Sequence, residues 1–195
     1  MPHQKCEFDS ITHIYKINGH VVPNVTAVLA DLIPGWRASE FFLGKGRAVH
    51  ACAAMVARGI AFEHDLRIAG QVEAVRRFFR YVQPEVVEIE QQVYSERYLY
   101  AGTTDLVAII NKWPMIVDYK ATITASTIYQ CAAYALAYPE TIRHGVGVEL
   151  HEDGMYKLSE VWDLKRAKQE WLALLTTYRI RERLGCLNKE EDNGD

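Results

Sequence analysis

Apolar and polar residues alternate through Ile14-Tyr15-Lys16-Ile17, break at Asn18-Gly19 and resume at Val21-Val22. A period of two interrupted by a two-residue turn predicts a β-hairpin. Pro23 ends it, and Val25 to Leu32 reads as a short helix closed by Pro34-Gly35. A longer helix is predicted from Ala38 to Arg58, stopped by Gly59. Gly44 and Gly46 weaken its middle by about 1 kcal/mol each relative to alanine, which predicts a kink or a close backbone approach there. Val72, Val75, Phe79 and Val82 recur at helical spacing in a third helix, Ala69 to Tyr81, that ends before Pro84.

The period then changes. Val86 to Ser95, Leu99 to Ile110 and Trp113 to Tyr119 are rich in Val, Ile and Tyr and predict strands. The last two are joined by a tight turn at Asn111-Lys112, giving a mostly antiparallel meander. Ala125 to Tyr138 returns to helix, Val146 to Leu150 and Met155 to Leu158 form a strand pair around Asp153-Gly154, and Asp163 to Leu184 is a final amphipathic helix. This order predicts an α/β (α+β) domain with a mixed central sheet flanked by helices.

No internal repeat, low-complexity linker or second composition regime interrupts the chain. One domain over residues 1–186 is expected, followed by a polar acidic tail, 187–195, outside the fold. No apolar run approaches the roughly 18 residues that cross a bilayer, and the opening MPHQKCEF lacks a basic-then-apolar signal. A cytoplasmic location in a bacterium or phage-infected host, with no membrane partner, is the expectation. Cys6, Cys52, Cys131 and Cys186 show no CxxC spacing, so they predict reduced thiols rather than a zinc or iron–sulfur site.

The formal charge of −3 argues against strong nonspecific attraction to nucleic acid. Part of it comes from Glu190, Glu191, Asp192 and Asp195 in the tail, and the remainder of the chain is close to neutral. Basic residues gather at Lys45-Gly46-Arg47, Arg76-Arg77-Arg80 and Lys165-Arg166-Lys168. The arginines of the second group read equally as a solvated helix face.

The chemistry concentrates in Gly102-Thr103-Thr104-Asp105 and, after the turn, Ile116-Val117-Asp118-Tyr119-Lys120. Asp118 and Lys120 project to one face of their strand, about 7 Å apart. A carboxylate and an ammonium at the end of an apolar strand require pairing, a metal or a water-filled cleft. The turn at Asn111-Lys112 folds Asp105 back toward Asp118, so two carboxylates can converge on one hard divalent cation. His50 is a further candidate ligand, against the plainer reading of a structural helical histidine. Gln130 and Tyr134 share a helix face at i and i+4, and read either as site-facing or as a core pair.

Taken in order, His50, Gly102-x-x-Asp105, Asp118-x-Lys120 and Gln130-x-x-x-Tyr134 resemble the RecB-like branch of the PD-(D/E)XK nuclease superfamily. The stretch Val22-Pro23-Asn24-Val25-Thr26-Ala27-Val28-Leu29, Trp36, Gly46-Arg47-Ala48-Val49-His50 and Glu90-x-x-Val93-Tyr94-Ser95 are similar to small single-domain exonucleases of the phage and mitochondrial genome maintenance type. The resemblance covers about residues 13 to 138. It implies a restriction-endonuclease-like core and a metal-dependent DNA exonuclease acting at DNA ends or on single strands, in replication, recombination or phage DNA processing.

The implied metal ligands are His50, Asp105, Asp118 and the Tyr119 carbonyl, for one or two Mg²⁺ or Mn²⁺ ions. Imidazole ligation favours Mn²⁺. Lys120 is implied to orient or deprotonate water or to stabilise charge at phosphorus, and Glu90 to join through water or a second ion. Gln130 and Tyr134 position the phosphate or the ligand shell, and Lys45, Arg47 and Trp36 are the candidate DNA contacts. The cysteines of relatives that carry an iron–sulfur cluster are absent, so no cluster is implied. No helicase region is present, which leaves a separate helicase, single-strand-annealing or other replication or recombination partner open. A structure-specific or nicking endonuclease, a noncatalytic nucleic-acid-binding subunit, and a carboxylate-pair enzyme acting on sugars are the competing readings. The third gives Lys120 and His50 no part.

Overall fold

The computed structural model describes residues 6–10, 12–33, 40–138 and 142–188, with the side chains of 40–43 left aside. Three short strands, β1 (Cys6–Asp9), β2 (Ile14–Ile17) and β3 (His20–Val22), form an antiparallel sheet ordered β1-β2-β3. The Asn18-Gly19 turn has positive φ at both residues, as a two-residue hairpin turn requires. β1, which the alternation did not signal, makes the predicted hairpin three-stranded. Helix α1 (Val25–Leu32) follows, with Asn24 capping its first turn by accepting from the Ala27 N–H at 2.7 Å.

Helix α2 (Glu40–Ala57) runs unbroken through Gly44 and Gly46, and a Cβ added to either glycine would meet nothing within 4 Å. The expected close backbone approach is therefore absent among the described residues. The chain of i→i−4 bonds carries the helix through, and other residues make the contact with the sheet. After a 3₁₀ turn (Leu66–Ile68), helix α3 (Ala69–Val82) ends at Gln83, whose left-handed backbone turns the chain into Pro84.

The main sheet is built from β4 (Glu85–Ser95), β5 (Tyr100–Ile110), β6 (Trp113–Lys120), β7 (His144–Leu150) and β8 (Tyr156–Leu158), in that spatial order, with β9 (Trp162–Asp163) also paired to β7. β4-β5-β6 is the antiparallel meander, whereas β6 and β7 run parallel, joined through helix α4 (Ala125–Ala137). The sheet is thus mixed. Helix α5 (Lys165–Arg183) closes the chain.

Strand alternation splits the sheet's residues between two cores. Val107 and Ile116 pack with Val25 and Val28 of α1, Cys131 to Ala135 of α4, and Trp171 and Leu175 of α5. Leu106, Ala108, Met115 and Val117 pack on the opposite face with Val49 and Ala53 of α2 and Val72, Val75 and Phe78 of α3. A third cluster, Cys6, Tyr15, Ile17, Val22 and Ala101, seats the small sheet beside β5, where the Ala101 N–H donates to the Pro23 carbonyl at 3.2 Å.

Residues 187 and 188, counted with the tail from sequence, are within the described part. The Asn188 N–H donates to Asp31 at 2.7 Å. Trp36 and residues 189–195 lie outside the described residues.

Candidate active site

The β5–β6 ladder runs from Ile110 opposite Trp113 to Leu106 opposite Val117. One step further, the register sets Asp105 opposite Asp118. There the Asp105 side chain takes over as acceptor: its Oδ2 receives the Tyr119 N–H at 2.8 Å. Its Oδ1 lies 2.9 Å from His50 Nδ1, so α2 is joined to the sheet at this point. Burial works against the Asp105 carboxylate, but His50, Lys120 and the Tyr119 N–H outweigh it and hold its pKa below the ordinary value. The same contact raises His50, although burial alone would lower it.

Glu90 completes this group. It lies between the pairs Ile89–Leu106 and Gln91–Thr104, across from Asp105, and has φ +51, left-handed for a residue inside a strand. Such a conformation costs of order 1–3 kcal/mol and clusters at functional sites. One donor atom each from His50, Glu90 and Asp105 falls within 4.8 Å of the others. Local desolvation, with the Asp105 charge added, pushes the Glu90 carboxyl up to about 7, even though the residue as a whole is surface-exposed.

Asp118 is outside that trio and fully buried. Lys120 Nζ stands 2.6 Å from its Oδ2 as an ion pair at hydrogen-bonding distance, and Oδ1 has no hydrogen-bond partner among the described residues. Burial pushes the Asp118 carboxyl up to about 6, with Lys120 opposing and Asp105 adding. Lys120 is raised despite its own burial, because Asp118 and Asp105 favour the ammonium.

One imidazole, two convergent carboxylates and a third, buried carboxylate paired with Lys120 through one oxygen are a donor set suited to a divalent cation. Buried charge of this kind is otherwise costly.

On the other side of β5, Tyr134 of α4 lies against Gly102, where an added Cβ would come 2.7 Å from the Tyr134 ring. Gln130 Nε2 donates to the Tyr134 hydroxyl at 3.0 Å, and that hydroxyl feels the charge of Asp118. The pair is buried in α4, with the Tyr134 hydroxyl within reach of the Asp118 and Asp105 charges. The Tyr119 ring packs edge-on to His50 and Phe78, and its buried hydroxyl has no hydrogen-bond partner among the described residues.

Lys45 is ion-paired with Glu152 in the β7–β8 turn, whereas Arg47 is exposed on α2. Arg77 and Arg80 pair with Glu73, and Arg76 lies over the Phe62 ring, so this group is a solvated helix face.

Tyr15 escaped the sequence reading. Its hydroxyl shares a 2.8 Å hydrogen bond with Thr103 Oγ1 and feels the Glu90 charge, so the small sheet borders the site. Only its buried place in the β2 alternation was visible beforehand.

No family model matches the chain, and no curated protein matches it. Among solved structures, LHK-Exo in complex with dAMP aligns with a TM-score of 0.45 and 9% identity, over 84% of this chain and 93% of that one. An alkaline exonuclease (LHK-Exo) from Laribacter hongkongensis aligns with a TM-score of 0.40 and 9% identity, over 83% and 92% of the two chains. A structure of SSO0001 gives 0.36 and 10%, over 72% and 87%. These likenesses are distant, and the side chains of the site carry the functional reading.

Proposed function

We propose that the chain is a divalent-metal-dependent deoxyribonuclease of the PD-(D/E)XK type, RecB-like, that hydrolyses phosphodiester bonds from DNA ends. The observation that carries this is the meeting of His50, Glu90 and Asp105 with a buried Asp118–Lys120 pair on adjoining strands. His50, Glu90 and Asp105 would hold the cation, Mg²⁺ or Mn²⁺. Asp118 and the Tyr119 carbonyl are the further ligands that the resemblance implies. Such an ion supplies Lewis acidity toward a phosphoryl oxygen.

The chain's own residues supply the rest. Asp118 fixes Lys120 as an ammonium beside the acids, and Lys120 stabilises the negative charge that develops on phosphate as water adds and the leaving oxygen departs. Asp105 holds the His50 ring in place through Nδ1, and Gln130 holds the Tyr134 hydroxyl toward Asp118. The competing view of a noncatalytic binding subunit leaves the buried Asp118–Lys120 charge pair beside the other acids without a purpose.

Lys120→Ala is expected to cut the rate by about 10²- to 10³-fold. The test is digestion of end-labelled single- and double-stranded DNA, beside covalently closed circles, with Mn²⁺ or Mg²⁺. Cleavage that persists unchanged in Lys120→Ala removes the mechanism. Cutting of closed circles replaces the end-dependent mode with an endonuclease. Absence of cleavage by wild type under all these conditions removes the enzyme.

A further inference from the structure

Helix α2 carries more of the site than His50. Arg47 and Arg58, the latter just past the helix end with its N–H still bonded to the Ala54 carbonyl, are eleven residues apart. At 3.6 residues per turn they point within about 20° of each other, separated by about 16 Å along the axis. His50 lies between them. Both arginines are exposed.

Most of the other arginines described have a fixed partner. Arg67 pairs with Asp65, Arg77 and Arg80 with Glu73, Arg166 with Glu170 and Arg181 with Asp31, while Arg179 donates to the carbonyls of Tyr98 and Leu99. Arg47 and Arg58 form no ion pair among the described residues. α2 packs against β4, and the Arg58 charge reaches Glu90 of the His50–Glu90–Asp105 group. Two guanidinium groups on one stripe without an ion pair among the described residues, with His50 about a sixth of a turn to the side and between them in height, have the sign to meet phosphates of one strand passing the donor cluster.

We infer that Arg58 is a phosphate-binding residue that, with Arg47, holds a single nucleic-acid strand along α2 so that the strand passes His50. This rests on the nuclease reading and names how its substrate is held. Arg58 also stands at a helix C-terminus and near an acid, so a purely structural role would act through the helix or through Glu90.

Binding of a fluorescent single-stranded oligodeoxynucleotide, followed by anisotropy at several KCl concentrations, separates these roles in an Asp118→Asn background. Arg58→Ala is expected to weaken binding about 5- to 20-fold at low salt and to make the slope of log K against log salt shallower by about 0.7. Arg58→Lys should keep the slope, and the loss should persist when Glu90→Gln is added. An unchanged slope, or a loss that vanishes with Glu90→Gln, overturns the assignment. An Arg58-dependent slope in a protein whose wild type cleaves nothing would sink the nuclease reading and leave the binding residue standing.

Discussion

Asp118 has no surface exposure, and its one ion-pair partner among the described residues is the Lys120 ammonium at 2.6 Å. Desolvating an ion costs several kcal/mol, and a single contact of charge offsets only part of that. Asp118→Asn is therefore expected to abolish cleavage while raising the melting temperature by about 2–4 °C for each kcal/mol of relieved cost. Scanning calorimetry beside the activity assay checks it, and a lowered melting temperature would mean that the charge is well satisfied. The positions of Asp118 and Lys120 on one face were legible in the sequence, because strand alternation is local. The full part of Glu90 was not. Its aim depends on a positive φ inside a strand, which the hydrophobic pattern does not encode. Likewise, the hydrogen bond between the Tyr15 and Thr103 hydroxyls joins residues 88 positions apart and leaves no trace in either segment.

Among the elements, those with strong local signals are where the pattern put them: α1 behind its Asn24 cap, the hairpin at Asn18-Gly19 and the meander turning at Asn111-Lys112. The parallel placing of β6 and β7 was only implicit in a mixed sheet, since it is decided by how α4 docks. The last helix, expected from Asp163, starts at Lys165, because Asp163 closes the two-residue β9, a piece too short to have a period to read. Nor did the sequence distinguish which glycines allow close packing. Gly44 and Gly46 face open space, whereas a Cβ on Gly70 at the start of α3 would fall 1.8 Å from the Glu152 carbonyl oxygen. That contact seats the β7–β8 turn, whose Glu152 also binds Lys45 and Gln71. Gly70→Ala should force the turn away and cost about 1–3 kcal/mol, read by urea denaturation. An unaffected midpoint would mean that the turn yields freely.

Across the whole molecule, Asp31 of α1 ties the two ends of the described chain. It accepts from Arg181 Nε and from the Asn188 N–H, each at 2.7 Å. Burial pushes the Asp31 carboxyl up, but these donors and the guanidinium charge hold it below its ordinary value. A carboxyl depressed in the folded state adds stability above its unfolded pKa and loses it as pH falls through the folded one. Arg181→Ala is expected to lower stability near neutrality, with the gap from wild type narrowing below about pH 4. Paired denaturation curves at pH 7 and in that acid range test the sign, and a gap constant with pH would contradict it. Among the described residues no helix is long and apolar enough to cross a membrane. The Asp105 carboxylate, standing in for a missing strand carbonyl at Tyr119, makes one residue both reagent and scaffold. Truncating it to alanine would strand a buried amide as well as delete a donor, so an inactive Asp105 variant reports two injuries at once. Lys120→Ala likewise leaves the buried Asp118 charge without its ammonium, so each single variant of this centre is read beside its own fold stability.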